Sequence, residues 1–289
     1  MKKLLLLLLF VWAGGMSGAD KKNDIYCFYD ESEVVCPVYL REGVGGNDLT
    51  WQLGTPRWWV MTQGQVKREA GKDVIDIPLK FDKLKPGISL KCSLTLKDNG
   101  KIVAEQKIII YSRQIFRNFT GKIKNIAAFL PEDKIAKLNK LGMGLPKNSP
   151  SAFDSPENKL IICEAEKYSD NVDMLALLMK RGVTLVILAP EDESEILLPL
   201  NNFSKMTLFS SEAAKADGTL SVICNKEKSA VVCTGGQGDL IKAEYNGGEI
   251  IIVSAKLYEA LDKIPEAALL LKENLTGSVK SRMKTYEKR

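Results

Sequence analysis

The chain has no histidine in 289 residues. That excludes Ser-His-Asp and Cys-His nucleophile systems, a histidine general base and histidine-ligated zinc. Six cysteines are present, but no two stand as C-x-x-C, which argues against a zinc-thiolate site. Only four residues are tryptophan. After the first dozen residues no apolar run is long enough to span a bilayer. An excess of one charge is also missing: Lys and Arg number 41 against 36 Asp and Glu, for a net +5. Several of those positives lie at the N-terminus and in the tail "KSRMKTYEKR", so the rest carries no nucleic-acid footprint. The glycine-rich "TGGQGDL" (234–240) lacks the Lys-Ser/Thr pair of a phosphate cradle and leads into strand-like sequence. It reads as a hairpin loop, and no cofactor motif is left.

What is present begins with an export signal. Lys2 and Lys3 precede an apolar core from Leu4 to Trp12, and Ser17 and Ala19 stand at −3 and −1 of a cut before Asp20. No cysteine follows the core, so a lipoprotein anchor is not expected. The mature chain is expected to be soluble and exported.

Cys27 and Cys36 are separated by eight residues, and so are Cys224 and Cys233. Each pair brackets a hairpin-like segment, "CFYDESEVVC" and "CNKEKSAVVC". A two-residue turn at Glu31-Ser32, or at Lys228-Ser229, would place the two cysteines directly opposite, within disulfide reach. An exported protein permits such bonds. The alternative is two pairs of buried thiols that never oxidise. Cys92 and Cys163 fall in different expected domains and are not expected to pair.

From Ile25 to Tyr111 short strands are broken by turns. "DLTWQL" alternates Leu49, Trp51 and Leu53. "DVIDIPLKF" alternates as well. Ile88, Leu90, Cys92, Leu94 and Leu96 share a face, and "DNG" (98–100) supplies a hairpin turn back through Ile102 to Tyr111. This pattern predicts a β-sandwich. Residues 113–124, which take in most of "SRQIFRNFTGK", read as a linker.

The period then changes. "NIAAFL", "NKLIICEA" and "VTLVILA" are continuous apolar runs, as for strands buried on both faces. Between them lie two helical segments. One starts at Pro131 and stops at Gly142. The other opens with Ser169 and Asp170 as cap candidates and closes at Gly182. Two β-α-β crossovers imply a parallel sheet. Mixed strands follow, and "IPEAALLLKENLTG" is a closing helix from Pro265 to Gly277. The tail after it, 278–289, reads as a solvated basic end.

The segments "KLIICEAEKYSDNVDMLALLMKRGVTLVIL" and "YNGGEIIIVSAKLYEAL…IPEAALLLKENL" resemble the class I glutamine-amidotransferase-like, flavodoxin-like domain. The preceding "DESEVVCPVYL…DLTWQL…IDIPLKFDKLKPGISLKCSLTLKDNGKIVAEQKIIIY" resembles the immunoglobulin-like sandwiches placed before such domains. The expected fold is therefore two-domain: a signal peptide over 1–19, an all-β immunoglobulin-like sandwich over 20–112, the linker, an α/β three-layer amidotransferase-like domain over 125–277, and the basic tail. The resemblance implies a non-catalytic variant of bacterial exported, carbohydrate-associated proteins, working in the periplasm or at the cell surface. Active members use an elbow cysteine flanked by glycines, with a His and a Glu from late in the domain. Here Cys163 sits between Ile162 and Glu164, without glycines, in a chain without histidine. It reads as a small apolar residue at a strand end.

Two sets of residues are candidates for ligand binding. In "WQLGTPRWW", Trp58 and Trp59 are adjacent, so one of them faces outward and can stack on a sugar or a partner protein, while Trp51 belongs to the core. Glu191 and Glu193 follow the third parallel strand, at the carboxyl edge where open sheets bind ligands. There a carboxylate pair would suit a hydrolase, the alternative to a binding or scaffolding protein. The acidic cluster Asp30, Glu31 and Glu33 reads as a solvated turn.

Overall fold

The computed structural model describes residues 25–41, 44, 46–57, 59–69, 71–117, 126–147, 159–188, 196–199, 203–209, 221–225, 230–234, 240–245 and 248–286. Within 196–234 and 276–286, and at 172, 176 and 245, only the backbone is described.

The first seven strands are β1 (Ile25–Tyr29), β2 (Glu33–Tyr39), β3 (Asp48–Gly54), β4 (Val60–Lys67), β5 (Val74–Lys80), β6 (Ser89–Asp98) and β7 (Lys101–Tyr111). They form a five-stranded sheet in the order β1-β7-β6-β3-β4, and a two-stranded sheet of β2 and β5. Alternation builds the core between them. Cys36 and Val38 of β2 meet Ile75, Ile77 and Leu79 of β5, and Leu53, Leu94, Leu96, Ile108 and Ile110 face them from the larger sheet. Leu94, Leu96 and Ile77 are fully buried. Each such side chain contributes ~2 kcal/mol of transfer free energy. The β6–β7 hairpin turns at Asn99 and Gly100, whose φ values of 47° and 80° fit the "DNG" reading.

The expected first hairpin does not form. β1 pairs in parallel with β7, and β2 pairs with β5, so the chain crosses from one sheet to the other between them. Glu31, at φ 54°, lies in that crossing. Cys27 and Cys36 therefore belong to different sheets, and both are free thiols. A two-residue turn was the wrong premise, because each strand finds a distant partner instead of its neighbour. Asp30 is not solvated either. It is 1% exposed, and its carboxylate accepts from the backbone N–H of Leu84 and of Arg113, both at 2.7 Å.

The second half contains β8 (Ile126–Phe129), α1 (Glu132–Lys140), β9 (Leu160–Glu164), α2 (Ala165–Asp170), α3 (Val172–Lys180) and β10 (Thr184–Leu188). Then come β11 (Ile196–Pro199), β12 (Phe203–Phe209), β13 (Ser221–Asn225), β14 (Ala230–Thr234), β15 (Leu240–Tyr245), β16 (Gly248–Val253), α4 (Ala255–Ala260) and α5 (Pro265–Tyr286). A six-stranded sheet runs β12-β15-β16-β10-β9-β8, with β8, β9, β10 and β16 parallel. Successive residues of its apolar strands point to opposite faces. Leu160, Ile162, Val186, Leu188, Ile251 and Val253 share a core with residues of α1, α4 and α5. Ile161, Cys163, Leu185, Ile187, Ile250 and Ile252 share one with α2 and α3. Helices thus cover both faces. At the start of β16, a Cβ on Gly248 would meet the carbonyl oxygens of Met179 and Val183 at 2.6 and 2.7 Å, so only glycine fits.

A separate sheet runs β11-β14-β13. Its register opposes Cys224 to Val231 and Cys233 to Val222. The two cysteines are therefore not directly opposite. The strands end at Asn225 and Ala230, one position away from the assumed two-residue turn.

Three helical boundaries differ from expectation. The second helical segment starts at Ala165, directly after β9, and breaks at Asn171; Ser169 lies inside it, bonded back to the Ala165 carbonyl. The closing helix runs through Gly277 to Tyr286, taking in much of the expected tail. One interior glycine costs about 1 kcal/mol, less than good helix formers on both sides supply. Between β16 and that helix lies α4, capped by Ser254, whose hydroxyl accepts from the Leu257 N–H at 3.0 Å.

The start of the expected linker is a docking segment. Ile115 and Phe116 are 4% and 0% exposed and lie in the core beside α1, α4 and α5. The Phe116 N–H donates to the Leu141 carbonyl at 3.0 Å, and Lys272 donates to the Ile115 carbonyl at 2.7 Å. Tyr29, at the end of β1, donates its hydroxyl to the Leu261 carbonyl at 2.5 Å.

Candidate functional site

The outer face of the five-stranded sheet carries a cleft of about 310 Å³. Strand alternation supplies its floor. With Leu49, Trp51 and Leu53 turned inward, Gln52 and Gly54 of β3 face out; with Cys92, Leu94 and Leu96 inward, Ser93, Thr95 and Lys97 of β6 face out. Glu105 and Ile102 of β7 complete it. Ile102 owes its position to a bulge: Leu96 pairs with Ala104 but Lys97 pairs with Ile102, leaving Val103 extra. Strict alternation would have sent Ile102 inward with Ala104; instead it is 47% exposed.

The polar side chains are already engaged with one another. Ser93 donates to Glu105 at 2.5 Å. Lys97 donates to the Gln52 side-chain oxygen at 3.2 Å, and Thr95 to the Gln52 carbonyl at 3.3 Å. Thr55 and Pro56 form the rim, and the Thr55 N–H donates to the Trp59 carbonyl at 3.0 Å. Trp59 is 75% exposed. Trp59 thus faces outward, and Trp58 lies outside the described residues. Trp51 is packed against the core, its indole over Gly64.

A second polar group occupies the carboxyl edge of the parallel strands. Glu164, last residue of β9, is paired with Lys134 of α1 at 2.7 Å. The Lys134 and Lys137 ammoniums stand 5.7 and 4.5 Å from the Tyr258 ring centre, and Lys137 also pairs with Asp262 at 3.3 Å. Burial, and then the carboxylates of Asp133, Glu259, Asp262 and Glu164, hold the Tyr258 phenol above its ordinary range. Glu191 and Glu193 lie outside the described residues, so the structure does not bring them to this edge or away from it. Nothing in the sequence pattern singled out Tyr258, because its neighbours come from three separate elements. Among the described residues no group of three or more acidic, Cys or His side chains is placed to hold a metal.

Cys163 is fully buried in the core against α2 and α3, and burial, with Glu164 adding, pushes its thiol up to about 12. Cys36 is likewise raised to about 12 and Cys92 to about 11, mainly by burial. Cys27 rises to about 12 through burial and then Glu266. Thiolate is the reactive form. In a Cys224→Ser/Cys233→Ser variant, a thiol reagent at pH 8 should therefore leave buried Cys36, Cys92 and Cys163 untouched until the protein is unfolded. Slow labelling of half-buried Cys27 should precede the others. Rapid labelling of Cys163 in the native state would reopen it as a nucleophile.

No protein-family model matches the chain, and no characterised protein does. Among solved structures the extracellular domain of the voltage-gated sodium channel beta4 subunit is similar at a TM-score of 0.23 and 11% identity, over 34% of this chain and 97% of that one. A sialyltransferase from Photobacterium damsela is similar at 0.20 and 7%, over 59% and 36%. The extracellular portion of mouse CD200RLa is similar at 0.18 and 6%, over 81% and 100%. Likeness this slight carries no argument. Among the described residues no helix is long and apolar enough to cross a membrane.

Proposed function

We propose that the protein is an exported bacterial binding protein, in which an immunoglobulin-like sandwich holds a neutral carbohydrate and an amidotransferase-like α/β domain acts as a non-catalytic scaffold. The strand order supports the first domain: β3, β6 and β7 take the places of strands C, F and G, and β2 and β5 those of B and E. Parallel β8, β9 and β10 with helices on both faces support the second, and its loss of catalysis rests on buried Cys163 and the missing histidine.

The observation that carries the reading is the cleft beside Trp59. Its volume sits at the lower end of the ~300–1,000 Å³ usual for small-molecule sites. Hydroxyl and amide groups line the floor, with Ile102 and Pro56 as apolar wall. Its lining carries one cation, Lys97, and one anion, Glu105, so it has no net charge to select a charged ligand. A polyhydroxyl ring with an apolar face suits these surroundings, and the exposed indole of Trp59, whose carbonyl adjoins Gly54 and Thr55, is the surface on which we expect it to stack. On a glycan array the wild type should bind neutral glycans. Trp59→Ala should weaken binding roughly tenfold, the ~1.4 kcal/mol of a stacked ring, and Trp58→Ala should be run beside it. No glycan bound, or binding indifferent to Trp59, rejects the reading. The alternative, a hydrolase at the carboxyl edge, is tested by hydrolase screening of wild type, Glu191→Gln and Glu193→Gln.

A further inference from the structure

The two edges of the five-stranded sheet are treated differently. β1, at one edge, packs against α5 and donates from Tyr29 to Leu261. β4, at the other, has no strand paired on its far side among the described residues. Edge strands of this kind template further pairing, and proteins commonly blunt them with charge or proline. From Val60 to Val66 β4 has neither. It also carries exposed apolar surface, with Val60 38% and Met61 37% exposed.

The sequence of this edge complements itself. Around Gly64 it reads Thr62-Gln63-Gly64-Gln65-Val66. An antiparallel pairing about a twofold axis through Gly64 sets Gln63 opposite the partner's Gln65, and Thr62 opposite the partner's Val66. Gln63 and Gln65 point to the outer face, because Gly64 opposes inward Trp51. Their amides would hydrogen-bond across the seam. Thr62 and Val66 lie on the inner face, where a β-branched pair packs well. A twofold contact needs a patch complementary to itself, and this one is.

We propose that the protein forms a homodimer by antiparallel β4–β4 pairing in this register, joining two five-stranded sheets into one of ten. The outer faces then lie on one side. Between the two copies of β6 are five strand spacings, so the paired clefts stand about 24 Å apart on one surface. The dimer does not depend on what the clefts bind. If they bind glycans, both sites meet one array of sugars and gain avidity.

Charge pairs at the two glutamines test the register itself. Gln63 and Gln65 are exposed, so their replacement leaves the core intact. In the Gln63→Lys/Gln65→Lys variant, lysines oppose lysines at both positions. In Gln63→Lys/Gln65→Glu, each lysine opposes a glutamate. Analytical ultracentrifugation of the chain without its first 19 residues should find a wild-type dimer. The double-lysine variant should dissociate on the order of tenfold more readily or more, and the lysine–glutamate variant should recover wild-type affinity. A monomeric wild type at all soluble concentrations overturns the proposal, including one that captures an extended peptide at β4 instead. So does a dimer that ignores both variants, or a lysine–glutamate variant as weak as the double lysine.

Discussion

Replacing Phe116 with alanine should cost about 3–5 kcal/mol, the range for deleting a buried aromatic side chain. Phe116 is fully buried in the core that α1, α4 and α5 form on one face of the six-stranded sheet. Its backbone is fixed by the bond to the Leu141 carbonyl, so the chain cannot easily collapse into the gap. For a chain of this size each kcal/mol moves the midpoint by about 2–4 °C, giving roughly 10 °C in total. Phe116→Leu, which keeps much of the volume, should cost well under half as much. Calorimetry is the suitable measurement, since two units can melt separately. The transition that shifts should belong to the second unit, although residue 116 directly follows the sandwich. A shift confined to the sandwich, or below about 2 °C, would show that the segment is not docked as described.

Asp30→Ala should cost about 2–5 kcal/mol by another route. The substitution removes little volume but leaves the N–H groups of Leu84 and Arg113 without their acceptor. A buried orphan donor costs about 1–3 kcal/mol. Asp30→Asn is the informative control. It keeps the shape but has one acceptor oxygen for two donors and points an NH₂ at the other. It should destabilise nearly as much as alanine. A neutral Asp30→Asn, measured by urea unfolding, would mean that one of the two bonds contributes nothing. An unchanged Asp30→Ala would mean that neither does.

Local features were legible from sequence. Alternation placed β3, β5 and β6 and assigned their inner faces, Asn99-Gly100 gave the hairpin, and Pro131 and Gly142 bounded α1. Continuous apolar runs gave β8, β9 and β10. What failed depends on partners distant in the chain. "CFYDESEVVC" looks like a hairpin because only its two halves are in view, whereas β7 and β5 take them. Asp30 looked solvated because its two donors lie 54 and 83 residues away. "SRQIFRNF" looked like a linker because a polar composition hides two apolar residues that find a core elsewhere. The cleft was half visible. Trp59 marked a neighbour of its rim, and alternation marked Ser93, Thr95 and Lys97, but the bulge that exposes Ile102 leaves no sequence signature.

The bond from Tyr29 to Leu261 joins residues 232 apart. Its consequence lies in the order of assembly. Contacts of such long separation slow folding, because the loop must close before the contact repays it. During synthesis the antiparallel hairpin of β6 and β7 can form as soon as both strands exist. The tyrosine that closes β1 must wait until almost the whole chain has emerged. Until then β1 is held on β7 by its backbone pairing and by the packing of Tyr26 and Phe28 against the sandwich. The slowest phase of refolding should accordingly be the closure of the first strand upon the last helices.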